Sequence, residues 1–266
     1  MKNKLQKYRS LPLDDRIVHI HIPKTGGTWL NANLINLGMR RNYDHSTVLP
    51  LIDGMSQRTP TWAWDIKTKV SFQFAKNPGE NIKLFQEACK VAIVRNPFDW
   101  LVSYYSHVGH GRWKNHRGWD DIVSTHNLTS FEHFLYHFCT PEKRWYHIWF
   151  KRSIFYQIFD ENGNVGVDVI LKNENLTEGT KTLLLDLGII RDKSQIITMR
   201  SNQNKTRKDY RSYYDTSMID LVSNFLSQEL KIFNYEFENS HADRDYWLGE
   251  EFGNLNWQLA MSRTDY

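Results

Sequence analysis

The sequence predicts an α/β domain of three layers, in which a central, mostly parallel sheet carries helices on both faces. Short runs dense in Ile and Val read as buried strands: RIVHIHI at 16–22, KVAIV at 90–94 and VDVIL at 167–171. Each is followed by a stretch with helical spacing of apolar residues, and strands alternating with helices give parallel sheets covered on both sides. No internal repeat, low-complexity tract or Pro/Gly/Ser-rich linker divides the 266 residues, a length that suits one large domain.

The first strand spans Arg16 to Ile22, with Ile17, Val18, Ile20 and Ile22 apolar. Pro23 to Gly27 form a turn, and Thr28 to Leu37 form a helix with Trp29, Leu30, Leu34 and Leu37 on one stripe and Gly38 as its stop. Residues 40–68 read as loops with one short helix, Lys69 to Phe74 as an alternating strand, and Asn81 to Ala88 as a helix. Lys90 to Val94 is a strand. Asn96-Pro97-Phe98-Asp99 then starts a helix that runs through Tyr104, because Asn caps well, Pro suits the first turn and an early Asp favours the helix dipole.

Thr129-Ser130-Phe131-Glu132 reads as a capping box before a helix that turns Phe131, Phe134, Leu135 and Phe138 inward. Val167 to Leu171 is the next strand, and a helix from Thr177 ends at Gly188. Asp215 to Phe233 is the strongest amphipathic pattern, with Ile219, Val222, Phe225, Leu226, Leu230 and Phe233 in step.

Lys plus Arg number 34 against 30 for Asp plus Glu, a net charge of +4. That is a mild bias toward anionic ligands and far from the footprint of a protein that coats nucleic acid. Cys89 and Cys139 have no metal-ligand spacing around them and read as buried free thiols. The polar N-terminus lacks the apolar core of a signal peptide, and no apolar run approaches the roughly 18 residues of a membrane span, so a cytoplasm-like compartment is expected.

The stretch HIPKTGGTWL, 21–30, carries the first chemistry. Backbone amides at the start of a helix attract phosphate or sulfate, and Gly26 and Gly27 permit close approach. Lys24 adds a charge, and Thr25 and Thr28 add hydroxyls. Taken alone, the stretch is equally an ordinary strand-to-helix turn. A Walker A loop places Lys after its glycines, and here Lys24 precedes them, which argues against a P-loop kinase or NTPase.

The second stretch is ACKVAIVRNPFDWLVSYYSH, 88–107. Arg95 closes a strand, where an α/β sheet presents ligand contacts and where a guanidinium can hold a phosphate bidentately. Asp99 and Ser103 follow at helical spacing, and an Arg95–Asp99 structural pair accounts for the same residues.

In combination, HIPKTGGTW and VRNPFDWLVSYY resemble the two donor-binding signatures of the sulfotransferase superfamily, whose members use 3′-phosphoadenosine 5′-phosphosulfate (PAPS). The HIPKTGG form is similar to the carbohydrate branch. VDVILKNENLTEG and the segment YRSYYDTSMIDLVSNFLSQELKIFNYEF extend the resemblance over about 16–237, leaving 238–266 as a C-terminal extension of a single domain, 1–266.

The resemblance implies a P-loop-like fold in which Lys24, Thr25, Gly26, Gly27 and Thr28 wrap the 5′-phosphosulfate. It implies further that Trp29 stacks on adenine, although a core position explains that residue as well. Arg95 and Ser103 would hold the 3′-phosphate. Asn204, Lys205 and Arg207 would close over the nucleotide, or form a solvated basic loop.

The implied reaction moves a sulfuryl group from PAPS to an acceptor hydroxyl, leaving 3′-phosphoadenosine 5′-phosphate (PAP), with no metal required. Lys24 would neutralise the leaving oxygen. A general base is needed, and where the cytosolic branch has its His this chain offers only Gln73 and Lys76. His45 is the leading candidate, with His107 and His110 behind it.

Trp62, Trp64, Trp113, Trp119, Trp145 and Trp149, interleaved with Arg112, Lys114, His116 and Arg117, suit either a core or a saccharide acceptor. A carbohydrate hydroxyl is the expected acceptor. A small phenol or alcohol, or a non-catalytic nucleotide- or glycan-binding role, is the alternative.

Overall fold

The computed structural model describes residues 2–39, 87–109, 130–139, 153–160, 162–197 and 208–256. In chain order the principal elements are β1 (Ile17–Ile20), α1 (Gly27–Asn36), β2 (Cys89–Val94), α2 (Pro97–Gly109), α3 (Phe131–Cys139), β3 (Val169–Lys172), α4 (Leu176–Asp186), α5 (Thr216–Phe225), α6 (Ser227–Ile232) and β4 (Trp247–Leu248). The predicted strand at 69–74 and almost all of the predicted helix at 81–88 lie outside the described residues. Among the described residues no helix is long and apolar enough to cross a membrane.

The described residues form two compact units. The first takes Met1–Val94, Gln157–Asn202 and Ala242–Gly253, and holds the sheet. Its strand order is β1-β2-β3-β4, with β1, β2 and β3 parallel and β4 antiparallel to β3. The register sets Ile17 beside Cys89, His19 beside Val91, and Val91 in turn beside Val169.

Partners in register point to the same face, so Ile17, Cys89, Val91, Ile93, Val169 and Leu171 form one apolar sheet of side chains. Trp29, Leu30 and Leu34 of α1 and Leu183 and Leu184 of α4 close over it as a single core. On the opposite face Val18, Ile20, Ala92, Val94 and Ile170 are equally buried, so the sheet is covered on both sides, as a parallel α/β sheet requires.

Helix ends follow their sequence signals. Gly38 N–H donates to Ile35 C=O and Met39 N–H to Leu34 C=O, a Schellman stop for α1. Gly188 and Ile189 repeat it for α4, donating to Leu185 and Leu184. Arg9 and Arg16 add donors there, Arg9 to the carbonyls of Asp186 and Leu185, Arg16 to those of Leu187 and Gly188, where positive charge suits the helix C-terminus.

Of the C-terminal extension, Ala242–Gly253 belongs to this unit and adds a strand to its sheet. Trp247 pairs with Ile170 and Leu248 with Val169. Tyr246 OH donates 2.8 Å to the buried Asp186 carboxylate, Thr182 Oγ1 donates to Asp245, and Asn175 Nδ2 donates to Arg244 C=O. A side chain at Gly179 would overlap the Asp245 carbonyl, so α4 carries its glycine where the extension passes.

The second unit takes Arg95–Tyr156, Gln203–His241 and Asn254–Tyr266. In it aromatic side chains of α2, α3 and α5 gather into a core. Trp100 stacks on Tyr104 at 4.9 Å, and Phe131, Phe134 and Phe138 of α3 are buried as their spacing predicts. The cap of α3 is Ser130, whose Oγ accepts from His133 N–H. The predicted single helix 215–233 is two, broken at Leu226 (φ −102, ψ 23). Both cysteines are buried free thiols, Cys89 in β2 and Cys139 at the end of α3.

Candidate functional site

At the carboxyl end of β1 the chain leaves the sheet through His21 and Ile22 and turns over Pro23–Gly26 into α1. Two residues make the reversal. Lys24 has φ +67 and Gly26 φ +102, both left-handed. A left-handed glycine is unstrained, whereas a lysine there costs about 1–2 kcal/mol. Such outliers concentrate where a backbone shape serves a function.

Thr25 lies fully buried between them, and its hydroxyl donates 2.8 Å to Ile22 C=O, so that side chain holds the turn together from within. From the segment after β3, Asn173 Nδ2 donates 2.6 Å to Thr25 C=O and ties the turn to the end of β3, two strands away from β1 in the sheet.

Helix α1 begins at Gly27. The first amides of a helix have no acceptor within it and, with the helix dipole, form a ready anion site. Thr28 is exposed at this end, and Lys24 is half-buried. Gly27 sits directly on the sheet: a Cβ there would overlap His21 Cδ2 and lie 2.6 Å from His21 Nε2 and 2.7 Å from His19 Cε1. A helix start brought this close to a strand tolerates only glycine.

His19 and His21 therefore belong to the site, although neither follows from the anion-turn pattern. Their rings stand 5.4 Å apart, and His19 Nδ1 lies 2.6 Å from Asn31 Oδ1 on α1. The available signal is the alternation in RIVHIHI, which places both imidazoles on one side of the extended run 16–22.

Trp29 does not present its ring to solvent. It is 3% exposed within the core, and its indole N–H donates 3.0 Å to Ile197 C=O. Of the two positions open to it from sequence, the core is the one it occupies.

In the second unit, Arg95 follows β2 directly in the chain, and Asn96 caps α2 as predicted. Asn96 Oδ1 accepts from Phe98 N–H, and its Nδ2 donates to Glu236 C=O. Arg95 and Asp99 form the pair that the sequence left as one alternative: Nε and one terminal nitrogen reach the same carboxylate oxygen at 2.7 and 2.6 Å. This contact orients the guanidinium from a residue one helical turn away. Ser103, a further turn along α2, is half-buried, as is His107 near the helix end.

His45, Asn204, Lys205 and Arg207 lie outside the described residues, as do Gln73, Lys76, His110, Arg112, Lys114, His116 and Arg117. The same holds for Trp62, Trp64, Trp113, Trp119, Trp145 and Trp149.

Beyond Asn173, one further polar residue stands at the end of β3. Lys172 is 2% exposed, with its ammonium 4.9 Å from the Trp247 ring centre. Burial pulls its pKa down to about 8, while Glu174 and Asp243 act in the opposite direction.

Comparison with known protein families adds an independent finding. The model of the sulfotransferase family matches residues 13–236, most of the chain, and the chain therefore belongs to that family. No curated protein matches it.

Proposed function

We propose that this sulfotransferase-family chain uses PAPS as its donor and transfers the sulfuryl group to a hydroxyl of a carbohydrate acceptor. The observation that carries the reading is the left-handed Lys24 and Gly26 in a turn that delivers the start of α1 to the carboxyl end of a buried parallel strand. That shape suits the phosphosulfate end of the donor, where amides, Lys24 and the exposed Thr28 supply donors and charge. Arg95, oriented by Asp99, and Ser103 suit the 3′-phosphate.

PAPS supplies a sulfuryl group already activated by its bond to a phosphate oxygen. The acceptor hydroxyl attacks sulfur in line as that bond breaks, and charge grows on the departing phosphate. Lys24 and the α1 amides stabilise that charge, and positioning supplies the rest of the acceleration. His45 is the proposed base that takes the hydroxyl proton.

A thermal-shift comparison tests the donor, since a ligand that binds only the folded chain raises its stability by RT ln(1 + [L]/Kd). PAP should raise the melting temperature strongly and ATP with Mg²⁺ little, and the reverse ranking refutes the reading. Transfer of labelled sulfate from PAPS across a glycan panel tests the acceptor. Transfer confined to phenols or simple alcohols overturns the carbohydrate assignment.

A further inference from the structure

We propose that residues 244–247 are a brace for the donor turn: they fix the axis of α4, and the start of α4 fixes the backbone of Thr25 and Gly26. Asn175 and Gly179 are then positioning residues, which set donor affinity without touching the donor. This role rests on the PAPS reading of the turn and goes beyond it, because the brace lies outside the family match at 13–236.

The contacts between the brace and α4 fall on one stripe. Asn175, Gly179, Thr182 and Asp186 are spaced i, i+4, i+7 and i+11, a single helix face, and they meet the brace in chain order. Asn175 Nδ2 donates 3.1 Å to Arg244 C=O, and a Cβ at Gly179 would overlap Asp245 C=O. Thr182 Oγ1 donates 2.8 Å to the Asp245 carboxylate, and Asp186 accepts 2.8 Å from Tyr246 OH. The brace lies along α4 from its cap to its last residue.

The brace is itself held in place. Trp247 pairs with Ile170 of β3, and the Glu251 carboxylate accepts from Arg244 at 2.7 Å and from Leu248 N–H at 2.9 Å.

The start of α4 reaches the donor turn. Asn173 Nδ2 donates 2.6 Å to Thr25 C=O. A Cβ at Gly26 would stand 2.7 Å from that nitrogen and 2.8 Å from Leu176 Cδ2, so the left-handed glycine rests directly on both residues. Asn173, Glu174 and Asn175 form one 3-10 turn. The residue that holds Thr25 and the residue that holds Arg244 therefore stand two positions apart on the same short turn. Immediately before it, the Lys172 ammonium lies 4.9 Å from the centre of the Trp247 ring. Asn173 is flanked on both sides by residues that the brace contacts, so a shift of the brace is passed to Gly26, the N-cap of α1.

The test is titration calorimetry of the full chain with PAP, comparing the natural chain with Gly179→Ala and Asn175→Ala well below their melting temperatures. There nearly every molecule is folded, so a loss of stability alone leaves the measured affinity unchanged. Gly179→Ala drives a methyl against the Asp245 carbonyl, and Asn175→Ala removes one hydrogen bond at the surface. Each should weaken PAP binding by at least about threefold, the scale on which residues remote from a ligand act, and raise KM for PAPS by a similar factor. In an Asn173→Ala background the Asn175→Ala effect should shrink to less than about twofold, because the two residues act in series.

If Gly179→Ala yields no folded chain, Asn175→Ala decides alone. An Asn175→Ala chain that binds PAP as the natural one does, or an effect of equal size with and without Asn173, overturns the inference and leaves the PAPS reading standing. A natural chain that binds no PAP at all removes the PAPS reading and the role of the brace with it.

Discussion

Replacing Gly27 by Ala isolates the close approach of the α1 start to the end of β1. The added methyl would overlap His21 Cδ2 and sit 2.6 Å from Nε2 and 2.7 Å from His19 Cε1, well inside contact distance on two buried rings. Neither ring is the loose end of a flexible side chain, since both project from the middle layer of the protein. Forcing a methyl into a packed interior costs about 1–3 kcal/mol. From the middle of that range, about 2 kcal/mol, alanine recovers at most about 1 kcal/mol through its better helix propensity, so the net loss is about 1–2 kcal/mol. For a chain of this size each kcal/mol lowers the melting temperature by about 2–4 °C.

The assay is a thermal melt of Gly27→Ala and of the natural chain, repeated in a His21→Ala background. Removing the His21 ring removes most of the obstruction, so Gly27→Ala should cost at least about 1 kcal/mol less there, a coupling expected of residues in contact. Because the helix start is displaced, PAP affinity should fall as well. A Gly27→Ala chain that melts with the natural one, or a cost that is the same with and without His21, refutes the argument.

Lys24→Gly should raise stability by about 1 kcal/mol, since glycine adopts φ +67 freely, while sulfate transfer falls by at least about a hundredfold; paired melts and turnover assays decide it. Tyr246→Phe removes the donor to the buried Asp186 carboxylate and should cost about 1.5–3 kcal/mol in a denaturant melt, because hydrogen bonds to charged groups are the stronger kind. Asn96→Ala loses both the α2 cap and the bond to Glu236, and should cost about 1–2 kcal/mol by the same measurement.

Lys172→Met tests the buried ammonium, whose pKa falls from 10.5 to about 8 in the fold. Between those values the unfolded chain holds a proton that the folded chain has lost, so stability should rise with pH by on the order of 3 kcal/mol from this group. Below pH 8 both states are protonated and the burial penalty is fully felt. Lys172→Met should therefore be the more stable chain at pH 7 and lose the rise, as urea melts from pH 7 to 10 will report.

The elements around the candidate site were legible because their signals are local. Ile and Val density marked β1 and β2 to within a residue or two, Asn96 marked the start of α2, and Gly38 and Gly188 marked two helix ends. β3 lies two residues later at its start than its apolar run suggests and ends on Lys172, a residue type that composition keeps out of a sheet interior.

The division at Leu226 was hidden for a different reason. Leu226 N–H still bonds Val222 C=O, and Leu230 N–H bonds Leu226 C=O, so the apolar stripe runs through the break unchanged. β4 had no local signal at all. Two residues in a polar extension become a strand only because β3 offers an edge and Gly179 and Gly249 allow the chain to lie against it.

The candidate site divides along the same line. Residues whose backbone does the work, Gly26 and Gly27 above all, are visible as a motif, because only glycine meets their geometric demand. Residues that hold the motif in place are visible only once the chain is folded. Asn173 lies far from Thr25 in sequence and reaches its carbonyl at 2.6 Å, and His21 supports Gly27 across the interface of strand and helix.

Lys24 links the two kinds. Its left-handed backbone is unfavourable for a lysine, and a glycine in its place would relieve the strain at once. A fold selected for stability alone would carry glycine there. On the proposed reading the strained lysine supplies charge at that point of the turn, on a backbone that Thr25 and Asn173 hold in shape.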